Sequence, residues 1–96
     1  MERDIAAVPW YTSEQHYQQF RMSALDHSDF FDSYNEWSDV AMEHERQAEL
    51  RGITLFRIRM PFEAFLAWCV EKGCQNDSVG RATFANELAN KLLDLY

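Results

Sequence analysis

Residues 33–61 read SYNEWSDVAMEHERQAELRGITLFRIRMP, and a change of hydrophobic period inside this stretch decides the fold class. Ser33 and Glu36 form an S-x-x-E capping box, which satisfies main-chain donors left over at a helix start. Tyr34, Trp37, Ala41, His44 and Ala48 then recur at i, i+3, i+7, i+10 and i+14, one apolar stripe on a helix that is otherwise nearly all polar. Gly52 offers a left-handed stop. From residue 53 to 60 the period falls to two: Phe56, Ile58 and Met60 point one way and Arg57 and Arg59 the other, which predicts a strand with one wet face.

Outward from this segment the chain is mostly helical. On the N-terminal side, Pro9 turns Val8 away from helical angles and Trp10-Tyr11 gives an extended arm, residues 1–11, a large apolar anchor. Thr12 with Gln15, or Ser13 alone, caps a first helix to about Leu25 that carries Tyr17, Phe20 and Ala24 on one face. Residues 26–32 form a loop whose Phe30 and Phe31 plug the core or face a partner. On the C-terminal side, Pro61 opens a third helix to about Lys72, with Phe62, Phe65, Leu66 and Cys69 facing inward and Gly73 closing it. Asp77 or Ser78 caps a last helix nearly to Tyr96, with one inward row of Ala82, Ala85, Ala89 and Leu92 and a second of Phe84, Leu88 and Leu95.

The expected architecture is therefore α+β and mainly helical: four helices and one principal strand, about residues 53–60, in a single globular domain spanning residues 1–96. A lone strand leaves ladder donors and acceptors without partners. Its expected partner is either the N-terminal segment, residues 5–8, or the same strand of a second copy, paired antiparallel across a homodimer.

The 96 residues carry a net charge of -7, and the charge is lopsided. Residues 1–50 hold 11 acids against Arg3, Arg21 and Arg46, whereas residues 51–96 hold 5 acids against 6 bases. This balance opposes direct nucleic-acid or membrane-surface binding. No stretch reaches the ~18 apolar residues that span a bilayer, and the opening MERDIAAVPW has no signal-peptide core, so the expected compartment is the cytoplasm, with Cys69 and Cys74 reduced.

Chemical motifs are sparse. Three scattered glycines make no phosphate-cradling loop. Cys69 and Cys74 are half of a zinc pattern whose second pair is missing, and Cys69 lacks a base and an orienting partner in any recognisable motif. Glu43-His44-Glu45 resembles a zinc-protease helix only up to residue 48, which is alanine where a second ligand belongs. His44 reads instead as a core-edge histidine bonded to a buried carbonyl or carboxylate. Asp26, Asp29 and Asp32 lack the glycine and terminal glutamate of a calcium loop. No catalytic residue, metal or cofactor is expected.

Glu36, Asp39 and Glu43 share one face of the second helix, with Glu45 and Glu49 one strip over. With Trp10, Phe30 and Phe31 as apolar anchors, if these lie exposed together, they are the candidate protein-binding residues. Arg57 and Arg59 on the strand are candidate partners for the acidic face, within one chain or across a dimer. The expected function is noncatalytic protein interaction or regulation, with a protein partner that has a basic surface. The alternative is an acidic inhibitor that imitates a phosphate row in the groove of a nucleic-acid-handling protein, and a Cys/His metalloprotein or enzyme stands third.

The order Pro9-Trp10-Tyr11, Glu36-Trp37, Phe56-Arg57-Ile58 and Phe65-x-x-Trp68-Cys69 resembles a family of small bacterial proteins of unassigned function. The resemblance covers most of the chain. It implies a bacterial cytoplasmic protein and carries over no substrate, cofactor or catalytic residue.

Overall fold

The computed structural model describes residues 4–93. Its elements run β1 (Asp4–Trp10), α1 (Glu14–Ser23), a single 3-10 turn at His27–Asp29, α2 (Tyr34–Leu50), β2 (Ile53–Arg59), α3 (Phe62–Lys72) and α4 (Ser78–Leu93). The fold is α+β with four helices and two parallel strands. The strand at residues 53–59 is not a single principal one: β1 has the same length of seven residues and pairs with it in parallel from Asp4↔Ile53 to Trp10↔Arg59. The expected N-terminal pairing segment, residues 5–8, lies within β1, and Tyr11 leads on to the turn into α1; residues 1–3 of the predicted arm lie outside the described residues.

Parallel pairing places Ile5, Ala7 and Pro9 on the same face as Thr54, Phe56 and Ile58, and Ala6, Val8 and Trp10 on the face of Leu55, Arg57 and Arg59. The second face is wet at Arg57 and Arg59, both exposed as the alternation predicts, but not at Trp10 of β1, which is buried. There α2 covers it, with Trp37 edge-on to Trp10 at 5.0 Å, the Arg57 guanidinium 4.0 Å from the Trp10 ring, and Glu45 bonded to Arg57 at 2.7 and 2.8 Å. The other face meets the main core, where Ile58, Met60 and Tyr11 pack with Tyr17 and Phe20 of α1, Phe65 and Trp68 of α3, and Phe84, Ala85 and Ala89 of α4.

Helix ends follow local chemistry. Ser13 Oγ accepts from the His16 N–H and Ser33 Oγ from the Glu36 N–H, while Asp77 Oδ1 accepts from the Gly80 N–H at 2.7 Å. Gly52 and Gly73 take positive φ, 79° and 68°, just beyond α2 and α3. The inward rows shift in detail. Leu66 and Ala82 are exposed, because α3 and α4 turn Phe65, Cys69, Phe84 and Ala85 to the core. Leu92 is also exposed, and Leu95, with the predicted end of the last helix at Tyr96, lies outside the described residues.

The histidine that reads as a core-edge residue is the wrong one. His44 is exposed, whereas His16 is buried, with its Nε2 2.7 Å from the Met60 carbonyl and its Nδ1 accepting from the Thr12 N–H at 3.1 Å. That acceptor role fixes the proton on Nε2, which donates to Met60. Burial lowers the His16 pKa, the Met60 bond opposes this, and Arg59 adds to it.

Two stability predictions follow from these contacts. A Cβ on Gly80 would sit 2.1 Å from the Gln75 carbonyl oxygen. Gly80→Ala should therefore destabilise by about 2 kcal/mol, read as a lower urea midpoint at unchanged m-value. For His16, the unfolded chain takes up a proton that the fold excludes, so its contribution is complete above the ordinary histidine pKa and is lost as pH falls toward the lowered value. The urea midpoint should fall between about pH 7.5 and about pH 5.5, and His16→Gln should remove that slope.

Candidate functional site

A depression of about 170 Å³ opens where the loop before α2 meets the heads of α2 and α4, lined by Tyr11, Tyr17, Asp26, Asp29, Phe30, Phe31, Trp37 and Arg81. Its base is held by a buried polar network. Arg81 grips Asp26 through both terminal nitrogens, at 2.9 and 2.6 Å, and donates to Asn76 Oδ1 at 2.9 Å. Asn76 Nδ2 in turn donates to the Phe20 carbonyl and to Ser23 Oγ, and its carbonyl accepts from the Leu25 N–H. The end of α1, the loop and the start of α4 are thus tied together by one arginine and one asparagine.

The outer end of the loop is pinned separately. Tyr17 Oη donates to the Phe31 carbonyl at 2.7 Å, and Gln18 and Arg21 hold Asp32 through its carbonyl and carboxylate. Glu14 accepts from the Tyr34 N–H at the start of α2. These bonds leave Phe30 half-buried, 4.8 Å beneath the Arg81 guanidinium, and Phe31 39% exposed at the rim. Tyr11 packs against Phe20, Phe30 and Trp37.

The electrostatics follow from the same contacts. The hydrogen bonds from Arg81 hold the Asp26 carboxyl below its usual range, against the opposing effect of burial. Burial pushes the Tyr11 phenol well above its ordinary value, although Arg81 opposes it. The Tyr17 phenol is also raised, first by burial and last by Glu14 and Glu36, against the Phe31 bond and Arg21.

The acidic face of α2 is partly occupied. Glu43 is clasped by Arg46 Nε and Nη2 at 3.0 and 2.7 Å and bonded by Gln47, which holds its pKa down to about 2 although it is exposed. Glu45 is neutralised by Arg57. Glu36 contacts the cap residue Ser33, while Asp39 and Glu49 are exposed without an ion pair among the described residues. Trp10 is buried under Arg57, so Trp10, Phe30 and Phe31 do not lie exposed together as one anchor patch; Phe31 alone of the three is exposed.

Cys69 is buried, and burial pushes its thiol up, the opposite of an activated thiolate. Among the described residues no group of three or more His, Cys, Asp or Glu side chains could hold a metal ion, and no helix is long and apolar enough to cross a membrane. No protein-family model, curated protein or solved structure matches the chain.

Sequence reasoning missed Arg81 and Asn76, read Tyr11 as an apolar anchor of the arm, and read His16 as a possible further ligand beside Cys69 and Cys74 and not as the buried histidine. For two of them a signal was present: Arg81 stands four residues before Ala85 on the inward row of the last helix, and His16 four before Phe20. A charged residue at such a position marks a buried ion pair. Arg81→Met should leave Asp26 half-buried and unpaired and should cost about 3 kcal/mol in urea unfolding, with Asp26→Asn in the same chain recovering part of the loss.

Proposed function

We propose that this chain is a noncatalytic protein-interaction domain that grips a basic side chain of a protein partner at the depression formed by Tyr11, Tyr17, Phe30, Phe31 and Trp37. The observation that carries the reading is a ring-lined hollow whose one cation is already neutralised. Arg81 is bound by Asp26, which leaves Asp29 as the lining carboxylate without an ion pair among the described residues. An incoming guanidinium or ammonium group would meet aromatic faces and a carboxylate, the combination that holds organic cations. A volume of about 170 Å³ accepts the head of one lysine or arginine and little more.

The acids of α2 serve the approach. Glu36, Asp39 and Glu49 extend negative charge along the exposed face of α2, which raises encounter rates with a basic surface. Imitation of a phosphate row has less support, because Glu43 and Glu45 are spent on Arg46 and Arg57 and the free carboxylates lose regular spacing. The raised thiol of Cys69 speaks against thiol catalysis, and the two free cysteines suit the reducing cytoplasm.

A short peptide of alternating arginine and glycine tests the reading against its alanine-glycine counterpart by calorimetric titration. The arginine peptide should bind, and Asp29→Lys with Phe31→Ala should weaken it by about tenfold or more, with further loss at high salt. Equal affinity for the alanine peptide, or indifference to the double substitution, rules the depression out.

A further inference from the structure

Among the described residues the sheet has two strands, and β2 meets a second cavity of about 440 Å³ with Arg57, Ile58 and Arg59 in its lining. Side chains alternate faces along a strand, so three consecutive residues reach one cavity only where the strand presents its edge. Among the described residues, no main-chain hydrogen bond outside the ladder to β1 engages Arg57, Ile58 or Arg59. Pro9, opposite Ile58, sets the phase of that ladder. Proline has no N–H and is tolerated where that position faces away from the neighbouring strand. By alternation the main-chain groups of Ile58 then face β1, and those of Arg57 and Arg59 turn to the open side.

The groove along this edge is apolar and its rim is cationic. Leu88 and Leu92 of α4 form the wall, Leu92 being 48% exposed. Arg57 is committed to Glu45, but among the described residues Arg59 donates to the neutral Thr12 hydroxyl and neither Arg59 nor Lys91 has a carboxylate partner. On a chain of net charge -7, two cations without a carboxylate partner among the described residues beside one apolar groove are a local inversion.

We infer that this edge takes an extended peptide segment with alternating apolar and acidic side chains, which adds to β2 as a third strand. Main-chain bonds to Arg57 and Arg59 would supply affinity, an apolar side chain would fill the groove against Leu88 and Leu92, and carboxylates would meet Arg59 and Lys91. A second copy of β2 fits less well. Antiparallel pairing centred on the groove at Ile58 sets Arg57 opposite Arg59 of the copy, and like charges directly opposite destabilise a ladder. The site is chemically opposite to the aromatic depression and does not rest on it.

The test uses the full chain and a capped, fluorescently labelled peptide of alternating valine and glutamate, followed by anisotropy. Binding is expected, weakened by about tenfold or more by Arg59→Glu with Lys91→Glu, and abolished when alternate peptide nitrogens are methylated. Methylation alters only the peptide, so that arm decides even if the double variant unfolds. The inference is overturned if the peptide fails to bind, if a valine-lysine peptide binds as tightly, or if methylation has no effect. A dimer in sedimentation whose formation and peptide binding exclude each other would assign the edge to a second copy, and would also overturn it.

Discussion

Parallel pairing of β1 with β2 is the constraint on which the remaining structure depends. Parallel neighbours cannot be joined by a tight turn, so the chain must travel from one end of the sheet back to the other before β2 begins. Residues 11–52 make that crossover, as α1, the 3-10 turn and α2. A two-stranded sheet also has too little surface to be stable alone and needs packing against helices. The crossover helix α2 shields one face through Trp37, Trp10 and Arg57. On the other, α1, α3 and α4 enclose Ile58, Met60 and Tyr11.

This division explains why the core contains polar side chains. The loop between α1 and α2 must lie against the start of α4 to close the core, and loops carry main-chain groups that need partners. Asn76 supplies them at the end of α1, bonding the Phe20 carbonyl and the Leu25 N–H, while Arg81 holds the side chains of Asn76 and Asp26, and His16 serves the turn after β1 and the end of β2. Among the described residues no buried side-chain nitrogen or oxygen lacks a hydrogen bond. Such fully satisfied networks specify one arrangement, since moving any member leaves a buried group unpaired.

The same geometry separates two surfaces of opposite character. The depression before α2 combines aromatic rings and acids, because the loop supplies Asp26, Asp29, Phe30 and Phe31 and the start of α2 supplies Trp37. The edge of β2 combines aliphatic side chains and cations, because β2 and the last turns of α4 come from the half of the chain that is not acidic. Lopsided charge along the sequence becomes lopsided charge in space.

What the sequence determined by itself is local. The capping residues Ser13, Ser33 and Asp77, the stops at Gly52 and Gly73, and the period change at residue 53 rest on short-range sterics and hydrogen bonding, and a single chain carries that information in neighbouring letters. Of the candidate site, Phe30, Phe31 and Glu36 were legible, but their setting was not. Arg81 meets Asp26 across 55 positions, and Arg57 reaches Trp10 and Glu45 from the neighbouring strand; these encounters, not composition, bury Trp10 and neutralise Glu45, whereas the Glu43–Arg46 pair is local to α2. Parallel rather than antiparallel pairing, and the choice of His16 over His44 for the interior, were likewise decided only in three dimensions. Each depends on which face of a helix finds a neighbour distant in the chain, and periodicity marks the face without naming the neighbour.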